Sequence, residues 1–183
     1  MKLFEPLHLG NMHLANRIVM APLTRSRADA KNNAPGELAA TYYGQRASAG
    51  LIIAEGTSPS PNGVGYPRIP GIYSQAQIDG WRLVAESVHE KGGNLFVQLM
   101  HCGRVAHEAN LPQGASVIAP SEVELPGEMY TDAYGMQPHT PARAMTGEDL
   151  RATAEEYVQA AKNAVEAGCD GVISSGLEVP RLR

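Results

Sequence analysis

Four short apolar runs constrain this chain more than any other feature. They are Asn16–Arg25, Leu51–Gly56, Asn94–His101 and Asp170–Ser174, each closed by a proline, a glycine or polar residues. Continuous apolar runs of this length read as strands buried on both faces, as in parallel sheets. Helical patterns separate them, so the order is strand, loop, helix, repeated. Such repeats join parallel strands by right-handed crossovers. Four strands and three helices are half of an eight-fold (β/α) barrel; an open doubly wound sheet is the alternative. In either architecture ligands meet the carboxyl ends of the strands.

The connecting segments carry clear punctuation. Leu7-His8-Leu9 and Met12-His13-Leu14 flank Gly10-Asn11, which predicts a hairpin under the sheet with His8 and His13 pointing outward. Pro35-Gly36-Glu37 opens a helix through Leu38, Ala39, Tyr42, Tyr43, Ala47 and Ala49, and Gly50 ends it. A second helix starts near Gln75, repeats Ile78, Trp81, Val84 or Ala85 and Val88, and stops at Gly92-Gly93. Trp81 reads as a helix-to-sheet packing residue. Thr146 caps the third helix with Asp149 in the reciprocal position. Its expected apolar face is Leu150, Ala154, Tyr157, Val158, Ala161, Ala164 and Val165, and Gly168 ends it. Ser58–Tyr73 and Cys102–Arg143 are broken repeatedly by proline and glycine and read as loops. A loop as long as the second is usually functional.

Composition narrows the function. The 183 residues carry a net charge of -4 without a basic run, which argues against a nucleic-acid partner. No apolar stretch approaches a membrane span, and Met1–Pro6 lacks the apolar core of a signal peptide, so a cytoplasmic protein is expected. Cys102 and Cys169 have neither the number nor the spacing of a disulfide framework or a zinc site.

The strand ends bring together Pro22-Leu23-Thr24, Gly56-Thr57 and Gln98 with His101. This set contains no nucleophile beside a base and no carboxylate pair. Hydroxyl, amide and backbone groups suit a flat hydrogen-bonding heterocycle that carries the chemistry itself. His101, His107 and Glu108 form a possible metal set, but their spacing is not that of a helical zinc motif, and His107 reads as a loop histidine. Arg104 reads as satisfying loop carbonyls or steering an anion. Glu55 reads as a scaffold hydrogen-bonder and Cys102 as an inert thiol.

The sequence resembles the Old Yellow Enzyme family of FMN-dependent NAD(P)H ene-reductases. The resemblance rests on Asn16-Arg17-Ile18-Val19-Met20-Ala21-Pro22-Leu23-Thr24-Arg25, Tyr42-Tyr43-x-Gln45-Arg46-Ala47 and Gly50-Leu51-Ile52-Ile53-Ala54-Glu55-Gly56. It continues through Pro70-Gly71-Ile72-Tyr73, Val97-Gln98-Leu99-Met100-His101-x-Gly103-Arg104, Ala119-Pro120-Ser121 and Ala167-Gly168-x-Asp170-Gly171-Val172. It implies a TIM barrel of which residues 1–172 form the N-terminal half. It further implies that Ala21, Pro22, Leu23 and Thr24 line FMN, with Thr24 near its O4, and that Gly56 and Gln98 meet the ring edge. Met100 stands in the substrate pocket where many members have Trp. The implied reaction takes hydride from NADPH or NADH to FMN and then to an activated alkene of the enone type.

The resemblance stops at Val172. There the family's strand ends in a His and an Asn or second His that grip the substrate oxygen, followed in many members by a proton-donating Tyr. Here Ser175, Glu178 and Pro180 occupy those positions, and residues 173–183 read as a divergent tail. No intact catalytic set is therefore expected. Two outcomes follow: an ene-reductase polypeptide that needs a second half, or an inactive half-barrel that pairs with itself or another chain. A homo-oligomer and weak or absent FMN binding are expected of the chain alone.

Overall fold

The computed structural model describes residues 1–174. A 3₁₀ turn at Lys2–Phe4 leads into β1 (Leu7–Leu9) and β2 (Met12–Leu14), followed by β3 (Val19–Met20), α1 (Glu37–Gly44), β4 (Leu51–Thr57), α2 (Gln75–His89) and β5 (Leu95–Leu99). Next come β6 (Ile118–Ala119), β7 (Glu128–Thr131), β8 (Gly135–Pro138), β9 (Arg143–Ala144), α3 (Gly147–Glu166) and β10 (Gly171–Ser174). The main sheet has the order β10-β5-β4-β3, and every pairing in it is parallel. Chain order across the sheet, with a helix between neighbours, is the winding of a barrel sector. The expected β1–β2 hairpin is present, and His8 and His13 are both exposed.

The two faces of the sheet differ. Ile52, Ala54, Leu95, Val97 and Leu99 point at the helices and are buried there with Trp81, Val84, Val88 and Ala164. The alternate residues Ile53, Phe96 and Gln98 lie on the opposite face and are only partly covered. Trp81 sits at the middle of the helical layer, fully buried, and its Nε1 donates to the Gly71 carbonyl at 3.1 Å. The Ser58–Tyr73 segment is thereby packed down rather than free. Gln77 adds to this as a helix cap, accepting from Tyr73 N at 2.8 Å and donating to the Asn32 carbonyl at 2.8 Å.

Asn16–Arg25 departs from the expectation of a strand buried on both faces. Only Val19–Met20 pairs, and Ile18, Val19 and Leu23 are 38%, 48% and 55% exposed. β3 is one of the two outer strands of this sheet among the described residues, with β4 as its one ladder partner. Asn16 takes over where the ladder ends: its Oδ1 accepts from Ile18 N and Gly50 N at 3.0 and 2.9 Å.

Cys102–Arg143 is more ordered than the expected loop. β6 pairs with β9, and β7 with β8 in an antiparallel hairpin whose turn ends at Gly135, with φ 71°. The chain alternates there, with Met129 and Thr131 buried and Tyr130 exposed. The third helix buries Thr153, Ala160, Asn163 and Ala164 while Leu150, Val158 and Val165 stay exposed. The expected apolar face is wider than the stripe that meets β5 and β10, and the remainder has no partner among the described residues. No helix of the described residues is long and apolar enough to cross a membrane.

Replacing Trp81 by Ala is expected to cost about 3–5 kcal/mol, the range for deleting a buried aromatic side chain. Trp81→Phe should cost about 1–3 kcal/mol through the unpaired Gly71 carbonyl. Urea unfolding followed by far-UV circular dichroism measures both.

Candidate functional site

The carboxyl end of the sheet is shaped by a bulge. β4 and β5 pair Ile52 with Leu95 and Ile53 with Phe96, then shift so that Gly56 opposes Gln98 and Thr57 opposes Leu99. Ala54 and Glu55 together thus face one residue, Val97. Bulges re-aim side chains at the rims of barrels. Here the extra residue falls between Ile53 and Gly56, and the shift puts Gly56 beside Gln98. A Cβ on Gly56 would lie 2.5 Å from Cε of Met100. Gly56, Gln98 and Met100 are therefore in one place, and any side chain at 56 would have to displace the Met100 thioether.

Glu55 is 5% exposed and holds the neighbouring strand end. Its Oε2 accepts from the Arg25 N–H at 3.0 Å, and its Oε1 accepts from the Tyr43 hydroxyl at 3.1 Å. The Tyr43 oxygen accepts in turn from the Glu55 N–H at 2.9 Å. Burial raises the Glu55 carboxyl above its ordinary range, opposed by the Arg25 N–H and the Tyr43 hydroxyl. Burial likewise raises the Tyr43 phenol, so its hydroxyl keeps its proton and donates. Thr24 immediately precedes the anchored Arg25. Ala21, Leu23 and Thr24 are exposed and Pro22 is half-buried, so this stretch follows β3 as an open ledge tied back to β4.

His101 has a different role. Its backbone N–H donates to the Tyr157 hydroxyl at 3.1 Å, and its Nδ1 accepts from Gly103 N at 3.0 Å. The ring proton therefore sits on Nε2, which is buried without a partner among the described residues. Burial lowers the imidazole pKa to about 4. His107 caps the short turn at Glu108–Asn110 by accepting from Ala109 N at 3.0 Å. Among the described residues no group of three His, Cys, Asp or Glu is placed to hold a metal. Arg104 donates to the Val123 carbonyl at 2.6 Å and to Ser121 Oγ at 2.8 Å, so it satisfies loop oxygens. Cys102 is a free thiol that burial pushes up to about 11, and Cys169 one that it pushes up to about 12.

The sequence profile of the NADH:flavin oxidoreductase / NADH oxidase family matches residues 2–176. The chain belongs to this family. It is 41% identical to 12-oxophytodienoate reductase 7 of Oryza sativa subsp. japonica over 175 residues, 93% of this chain and 43% of that protein. It is 38% identical to a probable flavin mononucleotide-dependent alkene reductase of Leishmania infantum, across 93% of this chain and 47% of the relative. Among solved structures, the old yellow enzyme homologue of Zymomonas mobilis superposes with a TM-score of 0.89 at 42% identity, covering 95% of this chain and 48% of that one. Morphinone reductase gives 0.86 at 45% identity, over 94% and 47%. The chain thus spans less than half the length of these relatives, and its fold is a partial barrel of the Old Yellow Enzyme type. Serine, glutamate and proline at positions 175, 178 and 180 lie outside the described residues.

Tyr43 and Tyr157 are the positioning groups that sequence reading passed over. A carboxylate within an apolar strand was the available signal for Tyr43, because a buried Glu55 needs a donor. Nothing local marked Tyr157, whose partner is 56 residues away.

The half-buried His101, whose Nε2 is enclosed, makes stability pH-dependent. Unfolded, the ring takes a proton near its ordinary 6.5; folded, it resists until about 4. Its contribution is present above pH 6.5 and is lost as pH falls toward 4, by up to about 3 kcal/mol. His101→Gln, which keeps an acceptor for the Gly103 N–H, should flatten that slope in urea titrations between pH 7 and 4.

Proposed function

We propose that this chain is the flavin-edge half of an FMN-dependent NAD(P)H oxidoreductase acting on electron-poor alkenes. Residues 1–172 would form the N-terminal half of its barrel. The observation that carries the reading is the bulge that sets Gly56 against Gln98 at the strand ends. The Gln98 amide offers a donor and an acceptor to a ring edge. Ala21, Pro22 and Leu23 offer an uncharged ledge, and the Thr24 hydroxyl offers a donor toward a ring carbonyl. These groups fit a neutral heterocycle, because none of them brings a charge that the ring would have to desolvate. Bound FMN would supply the hydride transfer, from NADPH or NADH and then to the alkene. Thr24 and Gln98 would orient the ring, and a donor at a ring carbonyl would ease the arrival of negative charge there. Met100, lying over Gly56, limits the depth of the substrate pocket.

Titration of the chain into FMN is expected to give weak, saturable quenching of flavin fluorescence. Gln98→Leu and Thr24→Val should each weaken it about three- to tenfold, the value of one hydrogen bond. Unchanged affinity in both variants would remove these residues from the assignment.

A second reading, self-association, has its own observation. Ile18, Val19 and Leu23 are exposed along β3 and the residues flanking it, and Leu150, Val158 and Val165 on α3. Two copies related by a two-fold axis along the barrel could place β10 of each beside β3 of the other, keeping all strands parallel. Light scattering is expected to report a dimer, and Val19→Lys to shift it toward monomer. A parent chain that stays monomeric at tens of micromolar, on the order expected for weak association, excludes this reading.

A further inference from the structure

The cavity between the loop after β3 and the first turns of α1 is not used by the flavin-edge reading. It measures about 170 Å³, and neither Gly56, Gln98 nor Met100 lines it. Ala28, Pro35, Leu38, Ala39, Tyr42 and Pro70 form its walls, Arg25 and Arg27 also line it, and Glu55 closes it. We propose that this cavity, apolar within and flanked by two guanidinium groups, is a binding site for a small aromatic monocarboxylate.

Size and charge lead to the same ligand class. Apolar cavities of about 150 Å³ accommodate a benzene ring. The walls are carbon-rich: Ala28, Pro35, Leu38, Ala39 and Pro70 offer apolar surface to a flat ligand, and Tyr42 borders it. Glu55 carries at most one negative charge, against two positive charges on Arg25 and Arg27, so the lining as a whole favours an anion. Each Glu55 oxygen also accepts a bond within the protein, from the Tyr43 hydroxyl and from the Arg25 N–H. The Arg25 guanidinium lies 5.1 Å from the Tyr42 ring centroid, so the cation and the aromatic wall are adjacent. Arg27 Nη1 donates to the Arg25 and Ser26 carbonyls at 3.2 and 3.0 Å, which fixes its side chain at the loop. Guanidinium groups held in place recognise carboxylates through paired N–H donors. Tyr42 is further backed by Arg46, 3.8 Å from its centroid, which restrains the ring.

The site also touches the ledge above it. Glu55 at its base anchors Arg25 N, the residue after Thr24. An occupant is one peptide unit from the group proposed to meet the flavin. The binding itself needs no flavin, so its test is independent of that reading.

Isothermal calorimetry on the full chain at pH 7 uses benzoate, benzyl alcohol, benzylamine and acetate. Benzoate is expected to bind about tenfold more tightly than benzyl alcohol, while acetate and benzylamine give no saturable heat. Arg27→Gln should bring benzoate down to the level of benzyl alcohol and leave benzyl alcohol unchanged. Ala39→Phe, which fills the cavity, should abolish both, with circular dichroism confirming that each variant folds. Benzylamine binding as well as benzoate, benzoate binding undiminished in Arg27→Gln, or no benzoate heat at all overturns the proposal. Arg27→Gln keeps it testable if Ala39→Phe fails to fold.

Discussion

A single buried carboxylate organises the functional end of this sheet. Glu55 cannot be solvated where it lies, so its oxygens require protein donors. Tyr43 on α1 supplies one and the backbone after β3 supplies the other. Those two bonds join three consecutive pieces of chain that β-ladder pairing barely connects, because β3 contributes only two residues to the sheet. The ledge from Ala21 to Thr24 keeps its place through Glu55 rather than through strand pairing. Removing either donor would leave a buried acceptor unpaired, which costs more than the bond itself contributes.

The sheet's two faces divide the labour. The helical face is dry and closely packed around Trp81, and it carries the stability. The opposite face keeps Ile53, Phe96 and Gln98 partly open, and it carries the site. The polar tie points sit where the two meet. Asp170 illustrates this at the lower end, accepting from Leu95 N at 2.7 Å and lying 2.9 Å from His89 Nε2. It pins the starts of β5 and β10 to the end of α2, and so sets the register that reaches Gln98 at the other end.

Much of this was legible in the chain. The alternation of apolar runs and helical patterns is strong because each buried strand and each amphipathic helix repeats its own period. Thr146 with Asp149 forms the expected reciprocal cap, since that chemistry is confined to four residues. The misses come from tertiary context. Leu150, Val158 and Val165 have the spacing of a buried face, but burial depends on a neighbour that spacing alone does not reveal. The β7–β8 hairpin was hidden by its prolines and glycines, although Gly135 marks its turn. The bulge between Ile53 and Gly56 left no trace in the pattern, because one extra residue in an apolar strand changes no residue type. Gly56 and Gln98 were identifiable as candidates, whereas their alignment needed coordinates.

The contact between Gly56 and Met100 has a consequence for how such a pocket can change. Position 56 has no room for even a methyl group as long as the thioether lies over it. The two positions therefore share one volume. A methyl gained at 56 would have to displace the thioether, and a stiffer side chain at 100 would resist that displacement. Methionine is the most deformable apolar choice there, with three rotatable bonds and a polarisable sulfur. The depth of this pocket is thus set by the pair jointly: with methionine at 100, a small side chain at 56 costs a swing of the thioether rather than a second substitution.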